Sequence, residues 1–462
     1  MVHGLELQRS ADATMKTQVR RTSGLETQRG FDQQARGRRL LLCTYGFPPT
    51  MGPRGLRLLQ LSRGLSERGW EIDVLTARQS PSHLLYDKTF VEDFVPPGVR
   101  VFRTYPGPLY ERVQGRLRGR TLATHGDTAG RRFSFRLDAI LRALAVPDIM
   151  VEWLPFALLQ GHRLLRENSY DVVLSAGLPF TAHVLGYLLK RLHKLPWVAE
   201  YGDPWAFNPI SRLPQWRHSL DRYLETTLLR HVDGVVVTTE NTRTAYLQHY
   251  PFLQPDKVWI VHSGYAAEEY ATILPVKSTR FRLVYTGIFY PGSPGAFLDA
   301  LTYLHDLDME VVIAGPADAR LRDTIRATRL HRVRLLGNLT HAEAIALQKG
   351  CSLLLLIGNV IGNATSLQLP LKTFEYLGAK RPILCIRNGE NDIGAGLVES
   401  LQRGIVVENR PECIAMAIRA AYDLWKHGRL DAQFNLNDLD EFTWSRAGAK
   451  LHSVLSRISS LT

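Results

Sequence analysis

The residues best placed to do chemistry lie in SLQLPLKTFEYLGAKRPILCI, residues 366–386. Pro370 suits a first helical turn, so Lys372 and Glu375, three apart, share one helix face. The run RPILCI follows a glycine-containing turn and reads as a strand. A lysine can neutralise a diphosphate, and a carboxylate can accept from both hydroxyls of a ribose. The pair therefore describes a nucleotide-diphosphate site at a helix start. Without that context the same spacing is a surface ion pair, worth under about 1 kcal/mol.

Two further segments end strand-like runs. In AEYGDPWAFNP, residues 199–209, Asp203 follows a strand, Pro204 stiffens the turn and Trp205 offers a flat apolar face. A carboxylate there can orient a hydroxyl or act as a base. It can equally cap the next turn. In TYGFPPTMGPRG, residues 44–55, three glycines let backbone approach a ligand at a helix N-terminus, and Arg54 adds a fixed positive charge. A tight turn explains the glycines as well, since neither GxGxxG nor a phosphate-binding P-loop is present.

These segments need a scaffold of alternating strands and helices. LLLCTY (40–45), a glycine-proline loop, a helix with Leu58, Leu61 and Leu65, and EIDVLT (71–76) form a βαβ unit. YDVVLS (170–175) reads as a strand, and 180–194 as a helix with Leu185, Leu188, Leu189 and Leu192 on one face. PWVAEY (196–201), GVVVTT (234–239) and VWIVHSG (258–264) continue the series. A polar stretch at about 266–280 reads as a linker. Six strands follow it: FRLVYTG (281–287), EVVIAG (310–315), VRLLGNL (333–339), SLLLLIG (352–358), RPILCI (381–386) and GIVVEN (404–409). Two doubly wound α/β domains with a cleft between them are expected, and ligands then bind beyond the carboxyl ends of the strands.

Length and charge narrow the class. The 462 residues exceed one core, and 45% hydrophobic with 22% charged residues is globular composition. No apolar run has the length of a membrane span. The start MVHGLELQRSADATMKT lacks an apolar signal core, so a cytoplasmic location is expected. Four scattered cysteines, Cys43, Cys351, Cys385 and Cys413, form neither a disulfide framework nor a metal spacing. Of the net charge of +13, residues 1–40 carry +4 (8 basic, 4 acidic) and residues 103–136 carry +6 (8 basic, 2 acidic). In the second segment Arg112, Arg116, Arg118, Arg120, Arg131 and Arg132 mix with Tyr105, Tyr110, Phe133 and Phe135, a composition suited to an anionic membrane surface. Solvated loops without a fixed partner would show the same charge. No nucleic-acid motif accompanies it.

Read in order, the segments resemble the retaining GT-B glycosyltransferases of the glycosyltransferase 4-like family (group 1 type). The resemblance rests on FPPTMGPRGLRLLQLSRGLSERGWEIDVLT, DVVLSAGLPFTAHVLGYLLKRLHKLPWVAEYGDPW, VDGVVVTTENTR, KVWIVHSGYAAEEY and LPLKTFEYLGAKRPIL, which run from about residue 40 to 410. It implies a basic extension over 1–38, an acceptor-binding domain over 39–268 with a basic insertion at about 103–136, a donor-binding domain over 280–435, and a helix over 436–462 packing back on the first domain.

The resemblance further implies a hexosyltransferase-type enzyme that moves a sugar from a nucleotide-diphosphate donor to a hydroxyl with retention, in surface polysaccharide or glycolipid assembly. Glu375 would bind the ribose, with Lys372, Ser366 and Gly287 at the sugar diphosphate. Gly52, Arg54 and His183 would line the acceptor side, and Asp203 falls on the first domain's motif aspartate. Asp203 and Lys372 are the implied catalytic residues. The nucleotide sugar is a co-substrate, and no cofactor or metal is expected. Partners are the nucleotide sugar, a lipid-linked or saccharide acceptor and an anionic membrane surface, which would make the chain peripheral on the inner face of the membrane. Nucleic acid is not among the expected partners.

The chain departs from the family's pattern at four places. Leu367 stands for the first donor-motif glutamate, and TGIFYPGSPGAF lacks the usual arginine and lysine. Gly202 replaces a histidine, and Ser263 an asparagine. A nucleotide-sugar epimerase of the same fold and a non-catalytic binding protein are the two other readings.

Overall fold

The computed structural model describes residues 37–49, 52–79, 95–108, 144–209, 211, 213–288, 295–317, 319–328, 330–358 and 366–460. The N-terminal extension up to residue 36, and the basic segment beyond residue 108, lie outside the described residues. So does the central part of TGIFYPGSPGAF, residues 289–294.

In the N-terminal domain the apolar runs become parallel strands. They are β1 (Arg38–Thr44), β2 (Trp70–Ala77), β3 (Val99–Thr104), β4 (Val172–Gly177), β5 (Trp197–Tyr201), β6 (Gly234–Val237) and β7 (Val258–Ile260). Their spatial order is β3-β2-β1-β4-β5-β6-β7. Alternate residues of β1 face opposite cores: Leu41 and Cys43 enter one cluster with Trp153 and Trp197, while Leu40 and Leu42 enter another with Leu58 and Leu61. Helices α1 (Pro53–Ser66), α2 (Leu154–Glu167), α3 (Thr181–His193), α4 (Gln215–His231) and α5 (Glu240–His249) cover the sheet.

The C-terminal domain repeats the plan with β8 (Phe281–Thr286), β9 (Met309–Ala314), β10 (Val333–Gly337), β11 (Leu353–Ile357), β12 (Ile383–Arg387) and β13 (Gly404–Glu408). The order is β10-β9-β8-β11-β12-β13, again parallel throughout. Its helices are α6 (Ala267–Thr272), leading in from the first domain, and α7 (Gly295–Thr302), α8 (Ala319–Ala327), α9 (His341–Lys349), α10 (Leu371–Ala379), α11 (Ile393–Ser400) and α12 (Pro411–Lys426). Both sheets reverse strand order next to their first strand, between β1 and β4 and between β8 and β11. That reversal opens a crevice at the carboxyl ends, where such sheets bind ligands.

The last helix, α13 (Trp444–Ser459), crosses back to the first domain. Trp444, Leu451, Leu455 and Ile458 join the same core as Leu58 and Leu61. At the crossing a Cβ on Gly64 of α1 would lie 3.0 Å from the Gly448 Cα, so only glycines allow this approach.

Three expectations need correcting. The stretch 266–280 is not all linker, because α6 forms there and buries Tyr270. Leu192 does not share the buried face of α3 with Leu185 and Leu189; it is 58% exposed. Arg38, Arg103 and Thr104 belong to strands rather than to the basic extension and insertion.

Candidate functional site

The C-terminal half of the site is built at the end of β8. Gly287 closes that strand at φ +110°, a conformation that favours glycine. A Cβ there would meet the Lys372 Nζ at 3.1 Å, so the lysine passes directly over the glycine backbone. Pro370 caps α10 rather than entering its first turn, and Lys372 follows in that turn. Its Nζ donates to the Tyr285 hydroxyl and lies 3.9 Å from that ring's centroid. Burial pushes the ammonium down to about 7, against the pull of Glu375. Burial disfavours the charge on this ammonium, and an anion beside it would favour it again.

Glu375 lies one turn on. Burial raises its carboxyl above the usual range, while His341, Lys372 and a hydrogen bond from Gln348 hold it down. Gln348 is itself fixed at both ends: Tyr270 donates to its Oε1 at 2.7 Å, and its Nε2 donates to Thr286 Oγ1 at 2.9 Å. His341 bonds Glu269 of α6 at 2.9 Å, and Arg63 of α1 stands 3.9 Å from the same carboxylate. The Thr373 hydroxyl, fully buried in the first turn of α10, has no hydrogen-bond partner among the described residues.

Ser366 enters the site through its backbone. Its carbonyl accepts from the Asn241 side chain at 3.2 Å, and the Leu367 carbonyl accepts from both Thr239 and Thr242. Those three residues open α5 of the other domain, so the two domains touch at the loop leading into α10. Leu367 thus contributes a carbonyl where the family resemblance expects a carboxylate side chain.

On the N-terminal side, Arg54 of α1 and Asp203 beyond β5 meet. Their Nη2–Oδ2 distance is 2.6 Å, with side chains 22% and 24% exposed. Gly52 is the N-cap of α1. Gly202 is what admits the arginine: a Cβ there would lie 2.8 Å from Arg54 Nη1. The guanidinium occupies the space a side chain at 202 would need. His183 sits behind this pair and reaches no solvent. Its Nδ1 bonds the Ser175 hydroxyl at 2.8 Å, and its ring lies 4.2 Å from that of Tyr201. Burial, aided by Arg54, lowers its pKa to about 3, so the ring stays neutral.

Two groups escaped the sequence reading. Arg57 and Glu200, both buried, pair at 2.9 Å, and Arg57 also donates to Ser263 Oγ at 3.2 Å and the Val261 carbonyl at 2.8 Å. A glutamate inside the strand WVAEY was the available signal, since an ionised group in a central strand needs a partner. The second group is Glu225 of α4. Buried, it accepts from Tyr246, Tyr250 and the Ala206 backbone N–H, and burial raises its pKa to about 7. It anchors the loop that carries Asp203 and Trp205.

Comparison with known proteins agrees with this architecture. Residues 55–264 match the model of the glycosyl transferase 4-like domain. No curated protein matches the chain significantly. Among solved structures, a glycosyltransferase from Rickettsia africae has a TM-score of 0.60 at 12% identity, covering 92% of this chain and 100% of its own. HepE from Anabaena, solved with UDP-glucose, has a TM-score of 0.59 at 16% identity, covering 91% and 100%. A UDP-N-acetylglucosamine 2-epimerase from Listeria monocytogenes, so assigned in its structure, has a TM-score of 0.55 at 12% identity, covering 92% and 98%. With two parallel sheets of 7 and 6 strands, each wrapped by helices, the chain has the GT-B fold.

Proposed function

We propose that this chain is a retaining glycosyltransferase that moves a hexose from a nucleotide-diphosphate sugar to a hydroxyl. The observation that carries the reading is the desolvated Lys372 over Gly287, with Glu375 one turn further along the same helix. A cation weakened by burial and set at a helix N-terminus suits a diphosphate, and the carboxylate beyond it suits a ribose. The match of residues 55–264 supports glycosyl transfer, and the UDP-glucose in HepE supports a nucleotide-sugar donor.

In this reading the sugar C1–oxygen bond to the diphosphate breaks as the bond to the acceptor oxygen forms on the same face. The acceptor proton passes to the departing phosphate oxygen. Lys372 and the first N–H groups of α10 stabilise the charge that develops there. Arg54 holds Asp203 to orient the acceptor hydroxyl. The two domains bring the reactants together, and the contact of α5 with residues 366–367 keeps the donor loop in place.

The Arg-rich segment 103–136 supports an anionic membrane surface beside the acceptor domain, and with it a lipid-linked acceptor in surface polysaccharide or glycolipid assembly on the inner face of the membrane. Alanine at Arg112, Arg116, Arg118, Arg120, Arg131 and Arg132 should abolish co-sedimentation with anionic liposomes.

The first test is thermal stabilisation by UDP, GDP, ADP and their common sugars, repeated with Glu375→Ala. Saturable stabilisation by one nucleotide, lost in the variant, is expected. Absence of any shift would overturn the donor site. An inverted anomer in the NMR spectrum of the product would overturn retention.

A further inference from the structure

We propose that the acceptor domain carries a second pocket, distinct from the Arg54–Asp203 pair, which takes an apolar aglycone of the acceptor. The inference rests on the reading of this domain as the acceptor domain. The cavity measures about 310 Å³ and opens where the loops after β4 and β5 converge, starting two residues beyond Asp203. Its apolar walls are Pro147, Ile149, Leu178, Phe180, Trp205 and Leu213. At about 30 Å³ per water in the liquid, it holds about ten waters' volume, at the small end of ligand sites.

The charged residues that line it are occupied in holding its walls. Arg217, 1% exposed, donates to the carbonyls of Ala145 and Pro147 and pairs with Asp221 at 2.9 Å. Asp221 in turn takes a hydrogen bond from Trp205. Asp148 accepts from the Thr181 N–H at 2.9 Å, the Thr181 hydroxyl at 2.8 Å and the Met150 N–H at 3.0 Å. Trp205 and Phe180 stack at 4.8 Å with planes 7° apart, which fixes both rings.

Such a frame leaves little net charge for a ligand, because each carboxylate is already met by donors. Asn208 and Ser211 are the uncharged polar residues of the lining, and the rest of what it offers is hydrocarbon: aromatic rings, proline, and aliphatic side chains of which Leu178 is 38% exposed at the lip. A diphosphate or an anionic sugar would lose its hydration here without a partner. An alkyl or aryl group gains by leaving water, and each methylene withdrawn is worth about fourfold in affinity. The occupant is therefore the apolar group attached to the acceptor sugar, with the hydroxyl end directed toward Asp203.

The test uses the full chain, with n-octyl β-glucoside below its micelle threshold and methyl β-glucoside as probes, in isothermal titration calorimetry. Saturable binding of the octyl compound, at least about tenfold tighter than the methyl one, is expected. Leu213→Trp, which narrows the cavity, and Leu178→Asp, which charges its lip, should each weaken octyl binding by about tenfold or more. Stabilisation by nucleotides should stay unchanged in both variants and reports that they fold. Equal binding of the two glucosides, no binding of either, or octyl binding untouched by both variants would overturn the pocket. Octyl binding without any nucleotide stabilisation would instead leave the pocket standing and remove the glycosyltransferase reading.

Discussion

The two halves of the cleft handle charge in opposite ways. On the N-terminal side, proposed to take the acceptor, the buried or half-buried charged groups are partnered: Arg54 with Asp203, Arg57 with Glu200, Glu225 with two tyrosines and a backbone N–H. On the C-terminal side, proposed to take the donor, Lys372 has a hydroxyl and an aromatic face for neighbours among the described residues. The first side is organised before any ligand arrives, so it can position a neutral hydroxyl. The second stores a desolvation penalty that an incoming anion relieves. A site for a diphosphate and a site for an uncharged acceptor should differ in this way.

Removing the donor-side cation should break that contrast most severely. Lys372→Ala is expected to lower turnover by about 10²–10³-fold and to abolish stabilisation by nucleoside diphosphates. The same lysine predicts a pH effect. Its pKa, held to about 7 by burial, should rise beside a bound diphosphate, so binding takes up a proton. Affinity should be steady below pH 7 and fall above it by up to about tenfold per pH unit, measured by calorimetry in buffers of different ionisation heat. A flat profile would mean that the lysine does not meet the anion.

The acceptor side makes its own prediction through Glu225. Its folded pKa of about 7 is raised, so the folded chain holds a proton that the unfolded chain releases near 4.5. That contribution to stability falls as pH climbs from about 4.5 to 7 and is constant above. Glu225→Gln cannot ionise, so relative to the wild type it should gain on the order of 2–3 kcal/mol between pH 5 and pH 8 in urea denaturation. An unchanged difference would show that the carboxyl ionises freely.

Smaller still is the effect of crowding Arg54. Gly202→Ala places a methyl group 2.8 Å from the guanidinium, which must swing from Asp203. Turnover should fall about tenfold with nucleotide affinity unchanged, because the loss is on the acceptor side. Arg54→Ala should cost a similar factor, and combining the two should add little. Full additivity would separate the glycine from the arginine.

How much of this was legible follows from which residues are apolar. Central parallel strands buried on both faces show as runs such as LLLCT and LLLLI, and the part-buried VRLLG and GIVVE still carry enough apolar residues to read as strands. Edge strand β3, VRVFRT, did not, because Arg100 and Arg103 interrupt it. Helix α4 was hidden for a related reason: what it buries includes Arg217, Asp221 and Glu225, so an apolar period is weak. Lys372, Glu375, Arg54 and Asp203 were visible as residues at strand and helix ends. Their partners were not, since Arg54 and Asp203 are 149 positions apart and only the fold closes that distance.

The smallest effect separates the two sides most sharply, because it falls between them. Thr239 and Thr242 of the N-terminal domain both donate to the Leu367 carbonyl, at the position where the family resemblance expects a glutamate side chain. If this contact holds the donor loop for catalysis, Thr242→Val should weaken it by about 0.5–1.5 kcal/mol, or two- to tenfold in the donor KM, with global stability little changed. Thr239 is the less clean target, because its hydroxyl also caps α5 by accepting from the Thr242 N–H at 3.1 Å. A Thr242→Ser variant keeps the hydroxyl and should restore the wild-type KM. Should Thr242→Val instead lower melting temperature and leave KM alone, the contact would be packing between domains, and the donor loop would be set by the C-terminal domain by itself.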